Sequence, residues 1–203
     1  MAFLRDVHLV VWGLAALCVL PEVLLQGADL GLWGGAQWRN LAYGWFGFWP
    51  GLLYDWRPNY AAQPVAMFVT YGFLHGGLEH LGVNMITLIW LGTAVIDRVG
   101  ARAFWLIYLV SLLGGGVGFG LLTNTTSPMV GASGALFGLT GSILVWTITD
   151  RRGEALSLWP VGRAVLWLVM LNVILWLVTG GQLAWQTHLG GFIAGALVAV
   201  RYD

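Results

Sequence analysis

The chain has 203 residues, 59% of them hydrophobic and 9% charged, with nine arginines, no lysine, nine acidic residues and a formal net charge of zero. A mean hydropathy of +0.80 and a charged fraction far below that of soluble domains exclude both an ordinary soluble fold and a disordered chain, and nine arginines balanced by nine acids along the chain leave no basic patch for a nucleic acid. What remains is an all-α polytopic membrane protein, one domain over residues 1–203, whose 30 glycines suit close helix packing and whose 13 tryptophans suit the bilayer interfaces.

The first predicted span is His8 to Leu25. Arg5 ahead of an apolar run resembles a signal peptide, but the run continues through Pro21 to Leu25, too long for the apolar core of one. Ala15-Ala16-Leu17 before Cys18 also lacks the small residue of a lipoprotein site, so the span is expected to be retained. Cys18, the single cysteine, excludes an internal disulfide or a multi-cysteine metal site and reads as a small core hydrophobe. The first loop, residues 26–76, carries Trp33, Trp38, Trp45, Trp49 and Trp56 and is too apolar to float in water. It either lies half-sunk in the outer leaflet or folds onto the helix bundle.

Five further spans are predicted at Gly77 to Ile96, Ala103 to Leu122, Ser133 to Thr149, Gly162 to Thr179 and Trp185 to Val200. With six crossings, one side of the membrane holds Arg5, Arg98, Arg102, Arg151, Arg152, Arg163 and Arg201, and the other only Arg39 and Arg57. The positive-inside rule then places both termini in the cytoplasm.

Polar groups inside a span are costly and mark function by default. His75, His80 and Asn84 fall in FLHGGLEHLGVNM at the start of the second span, Ser133 in GASGALFG at the start of the fourth, and His188 in THLGGFIAG at the start of the sixth. These three spans all enter from the outer side, so at a rise of about 1.5 Å per residue the groups share one outer layer. His80 and Asn84, four apart, also share a helix face.

Such a layer suits serine chemistry. A neutral imidazole at His188 can take the Ser133 proton, whereas a Ser-Lys dyad needs a lysine the chain lacks. The H-E-x-x-H spacing of metalloproteases is missing around Glu79-His80, and Asp97, Asp150, Asp29 and Asp55 lie at span ends or in the first loop. His80, Asn84 and the Ser133 N–H are candidate donors for an oxyanion, and Gly131 and Gly134 would let a substrate backbone come close. A second reading stays open: Gly-Ala-Ser-Gly-Ala followed by Gly138 is also a small-residue packing surface. Gly191 and Gly195 read as packing that brings the sixth span close to the fourth, so that His188 reaches Ser133. His75 reads as structural, tying the first loop to the second span.

These three strings, in this order on these spans, resemble the rhomboid family of intramembrane serine proteases from about Pro64 onward. The resemblance implies a compact six-transmembrane-helix bundle, Ser133 as nucleophile, His188 as general base and later acid, and His80 and Asn84 as oxyanion stabilisers. It implies transmembrane protein substrates of single span, cleaved near the outer face, in the lipid bilayer of what is expected to be a bacterial inner membrane, with no metal, nucleotide or other cofactor. A bundle without a cytosolic domain or seventh helix would be the family's minimal form. Two departures stand out. Some bacterial members carry a Trp-Arg pair shortly before the first histidine of the second span, but here that stretch reads PVAMFVTYGFLH and the pairs are Trp38-Arg39 and Trp56-Arg57. Thr187 stands where the family often has Ala, which would put a hydroxyl beside the base. A catalytically inactive relative that binds membrane helices is the main rival reading; a channel or transporter would need mid-membrane charges or an inverted repeat.

Overall fold

A computed structural model describes residues 7–202, and these are all-helical. The helices are α1 (Leu9–Asp29), α2 (Gln37–Phe46), α3 (Gln63–Thr70), α4 (Leu78–Leu122), α5 (Ser133–Gly153), α6 (Trp159–Val178) and α7 (Trp185–Ala199), with short 3₁₀ turns between them. Arg5, counted above toward the cytoplasmic side, lies outside the described residues.

The second and third predicted spans are joined with almost no loop. α4 carries both, broken at Gly100, whose φ of 80° and ψ of 165° fit glycine far better than any other residue. Phe104 then lies back against Gly92, 3.3 Å from where a side chain there would begin; in an unbroken helix the two would stand about 18 Å apart. Helical segments therefore lie at all six positions, α7 being the shortest at 15 residues. Among the described residues, α1, α4 and α6 are long and apolar enough to cross a bilayer. α5 and α7 sit inside the bundle, where a helix faces protein and can carry small and polar residues.

Glycine sets how those inner helices meet. A side chain on Gly191 would strike the Gly134 carbonyl, and one on Gly195 the Gly138 carbonyl, so α7 lies backbone to backbone on α5. On its other flank Gly190 meets Gly114 and Gly118 of α4 in the same way. In lipid, where apolar surface gives no drive for helices to associate, such close approach supplies the attraction. Farther along the seam the Ser142 hydroxyl donates to the Gly195 carbonyl and the Trp146 Nε1–H to the Ala199 carbonyl, each at 3.0 Å. The opposite flank of the bundle is closed by Val11, Leu14, Leu88, Phe104 and Tyr108, all buried.

The stretch at residues 26–76 is more ordered than a loop, since it contains α2 and α3. Both expectations for it have support. Phe48, Met67 and Tyr71 are fully buried in the bundle, while α2 buries no residue and leaves Trp38, Trp45 and Phe46 exposed. Arg39 anchors α2 by a bidentate pair with the fully buried Glu22 of α1, at 2.8 and 3.0 Å, and by a 2.6 Å bond to Asp29. Its hydrogen bond to Glu22 is the largest influence raising the guanidinium's pKa above the ordinary value. Arg39 and the Tyr43 hydroxyl both donate to the His75 carbonyl, at 3.1 and 2.6 Å, so His75 does join the first-loop region to α4, through its backbone. Arg39 of the Trp38-Arg39 pair thus reaches, from farther back in the chain, the backbone just ahead of α4.

Candidate active site

α4, α5 and α7 start at the same end of the bundle, and that is where the polar side chains gather. Residues Met129 to Ala132 lead into α5 and are pinned from the first-loop region. Phe48 and Met129 exchange backbone hydrogen bonds of 3.0 and 2.9 Å, and the Gly131 N–H donates to the Tyr71 carbonyl at 3.0 Å. Ser133 is the first residue of α5. The first backbone bond across this end is that of the Leu136 N–H to the Ala132 carbonyl, at 3.2 Å, so the N–H groups at the helix start point out of the helix, as helix geometry requires.

His188 lies in the first turn of α7, 7% exposed. Its Nε2 is 2.9 Å from Ser133 Oγ across the glycine seam. The ring also stacks on Phe137, with centroids 4.2 Å apart and planes within 5°. Its Nδ1 is 2.6 Å from Asn172 Oδ1 of α6. A hydroxyl, an imidazole and an amide oxygen therefore stand in line, the arrangement by which a base is held while it takes a proton from a nucleophile.

His80 approaches from α4. Its Nδ1 accepts the Gly76 N–H at 3.2 Å, which leaves the proton of a neutral ring on Nε2, as a donor. A side chain at Gly131 would begin 2.9 Å from that Nε2 and 2.7 Å from Cε1. Gly131 has φ +126°, so glycine is required there twice, for its backbone and for the space His80 fills. Asn84 is 4% exposed and its Nδ2 donates to the His80 carbonyl at 2.8 Å, committing one of its two amide hydrogens. His75 meets His80 edge-on, with centroids 5.2 Å apart.

Gly134 serves differently from Gly131. A side chain there would meet Thr187 Oγ1 at 2.9 Å and Tyr71 Oη at 3.2 Å, so its smallness lets α5 pack on α7. Thr187 likewise turns into the space beside Gly115 and Gly134. Its hydroxyl fills the seam between helices and makes no bond to the His188 ring among the described contacts.

Two residues were missed by sequence reasoning. Asn172 interrupts the apolar string LWLVMLNVILWLV, and Glu22 interrupts VLPEVLLQ. Each is a lone polar group inside a long apolar helix, the same signal that singled out His80 and His188.

The Rhomboid domain family matches residues 62–202. The chain belongs to the rhomboid family. RHOMBOID-like protein 2 of Arabidopsis thaliana is 36% identical over 146 residues, 70% of this chain and 43% of that protein. Rhomboid protein 1, mitochondrial, of Saccharomyces cerevisiae is 32% identical over 152 residues, 70% of this chain and 42% of its own. Rhomboid protease GluP of Bacillus subtilis is 30% identical over 126 residues, 62% of this chain and 24% of its own. This rhomboid-family chain spans about two fifths or less of the length of these relatives. With its apolar helices, the family makes it an integral membrane protein, and the matched region contains the whole Ser133, His188, His80 and Asn84 constellation.

Proposed function

We propose that this chain is an intramembrane serine endopeptidase that cleaves single-span membrane proteins in the outer part of the bilayer. The observation that carries the reading is the 2.9 Å separation of His188 Nε2 and Ser133 Oγ at the head of two helices in glycine contact. Ser133 Oγ attacks the scissile carbonyl carbon as its proton passes to His188 Nε2. The resulting oxyanion is met by the His80 Nε2–H, the N–H groups at the start of α5 and the second amide hydrogen of Asn84. His188 then gives its proton to the leaving amine, the peptide bond breaks, and a water activated by the same imidazole releases the acyl group from Ser133. Gly131, lacking a side chain, leaves the space in which the His80 ring stands just ahead of α5.

The membrane arrangement is part of the proposal: six crossings, with α4 supplying two, one on either side of Gly100, both termini in the cytoplasm, and residence in a bacterial inner membrane. Helical segments at all six positions and the seven-to-two division of arginines support the crossings and the orientation.

The test is cleavage of a single-span substrate with a Gly- or Pro-weakened helix by purified protein in lipid, with a fluorophosphonate probe as second readout. Wild type is expected to cleave and to label at Ser133. Ser133→Ala should lose both, and His188→Ala should lose cleavage while remaining folded. A folded wild type that neither cleaves nor takes the probe would replace this reading with that of a helix-binding relative.

A further inference from the structure

Asn172 lies two thirds of the way along α6, a helix most of whose side chains are exposed. Val161 is its one buried residue, and its less exposed positions, Val161, Ala164, Leu168 and Asn172, recur every three or four residues along a single stripe. A polar amide on that stripe costs free energy unless it is hydrogen-bonded. Both of its ends are bonded: Nδ2 donates to the Leu168 carbonyl at 2.8 Å, and Oδ1 lies 2.6 Å from His188 Nδ1.

The first of these bonds decides the meaning of the second. Reversing the amide would set its oxygen against the Leu168 carbonyl, acceptor against acceptor, so the oxygen must face the imidazole. An acceptor at Nδ1 requires the proton of a neutral His188 to be on Nδ1. Nε2 then carries the lone pair that faces Ser133 Oγ, 2.9 Å away. An amide can also do the opposite. Where asparagine replaces the aspartate of a catalytic triad, its NH2 can face Nδ1 and trap the histidine in the tautomer that cannot act as base, at a cost of about 10⁴ in kcat. The Leu168 carbonyl guards against that orientation here.

We infer that Asn172 is a positioning residue of the proposed protease, holding His188 in the Nδ1–H tautomer and in line with Ser133. The inference rests on the serine-protease reading for its catalytic consequence, but its structural content, a tautomer set from α6, can be measured without turnover. Phe137 fixes the ring plane by stacking, and Asn172 fixes the ring's rotation within that plane and the site of its proton.

The experiment compares full-length wild type, Asn172→Leu and Asn172→Asp in lipid. Asn172→Leu keeps α6 apolar and of similar bulk, and Asn172→Asp keeps an oxygen acceptor at the same reach. Imidazole ¹⁵N spectra, with His188 assigned through its loss in His188→Ala, should show the Nδ1–H form in wild type and its loss or mixing in Asn172→Leu. Cleavage by Asn172→Leu should fall about 10- to 100-fold in kcat, as for a displaced catalytic group, with KM unchanged, and Asn172→Asp should recover most of the loss. A wild-type His188 protonated on Nε2 instead, or an Asn172→Leu variant with unchanged kcat, overturns the inference. A change confined to KM also overturns it, because Asn172 would then serve helix packing or substrate binding. A wild type that shows no turnover, but whose Nδ1–H form is lost in Asn172→Leu, sinks the protease reading and leaves the hold of Asn172 on His188 established.

Discussion

α6 and α7 are neighbours in the chain and both strongly apolar, yet they are held in opposite ways. α6, 20 residues long, buries only Val161. α7, 15 residues long, buries Thr187, His188, Gly191, Gly195 and Ala199, a continuous stripe set between α4 and α5. In water the more apolar helix would be the more deeply buried. In lipid its neighbours offer nothing the acyl chains do not, and glycine decides which helix is central. Ser133 and His188 sit on the glycine-locked pair, and Asn172 is contributed by the loosely held one. A third mode holds α1, whose buried Glu22 is gripped by Arg39 of α2.

The contrast can be broken most severely at that ion pair. Glu22→Ala removes the buried partner of Arg39 and leaves the guanidinium Asp29 as its acidic partner among the described residues, and since a buried charge left wholly unpaired costs about 3–5 kcal/mol, the loss should approach the lower end of that range. Thermal unfolding in detergent should record a large drop, with Glu22→Gln intermediate. A melting curve like that of wild type would mean that α2 is held by its other contacts. Next comes Gly191→Ala, which drives a methyl into the Gly134 carbonyl and forces α5 and α7 apart beside the site. A misplacement on the order of 1 Å costs about 100-fold in turnover, so cleavage should collapse by about that factor even where the protein still folds. Gly195→Ala, one turn farther from Ser133, should cost stability by about 1–3 kcal/mol through overpacking but spare more of the activity. Equal activity losses at positions 191 and 195 would contradict the view that the seam transmits its effect by local displacement. The smallest change is expected on α6: Leu177→Ala, at a residue 64% exposed, should move the unfolding transition by no more than about 0.5 kcal/mol. A larger shift would show that α6 is held by more than its single stripe.

Much of the site could be read from residue type and spacing. Ser133, His188 and His80 each interrupt an apolar stretch at the same end of alternate spans, and the Gly191 and Gly195 pair announced the close approach that brings Ser133 and His188 together. Gly131 and Gly134 could not be told apart by sequence, because a missing side chain does not say what fills its place: His80 for one, Thr187 and Tyr71 for the other. The stretch at residues 26–76 looked like a loop because its helices, of 10 and 8 residues, are too short to stand out as spans, and they are stabilised by partners distant in the chain, among them Glu22 and the His75 carbonyl. Asn172 and Glu22 were visible as polar exceptions, but nothing local tells whether such a residue faces lipid, another helix or a catalytic base.

What the sequence determined by itself was the environment and the chemistry available. Composition demanded a bilayer, and three short strings carried a serine, two histidines and an amide to one end of the bundle. Tertiary structure alone decided which of these groups touch, how α4 folds back at Gly100, and that an amide from α6 completes the line through His188 to Ser133. The reason is physical: hydropathy is a property of one segment against its solvent, whereas a 2.9 Å hydrogen bond between residues 55 positions apart depends on how closely two backbones can approach, which the partner helix sets.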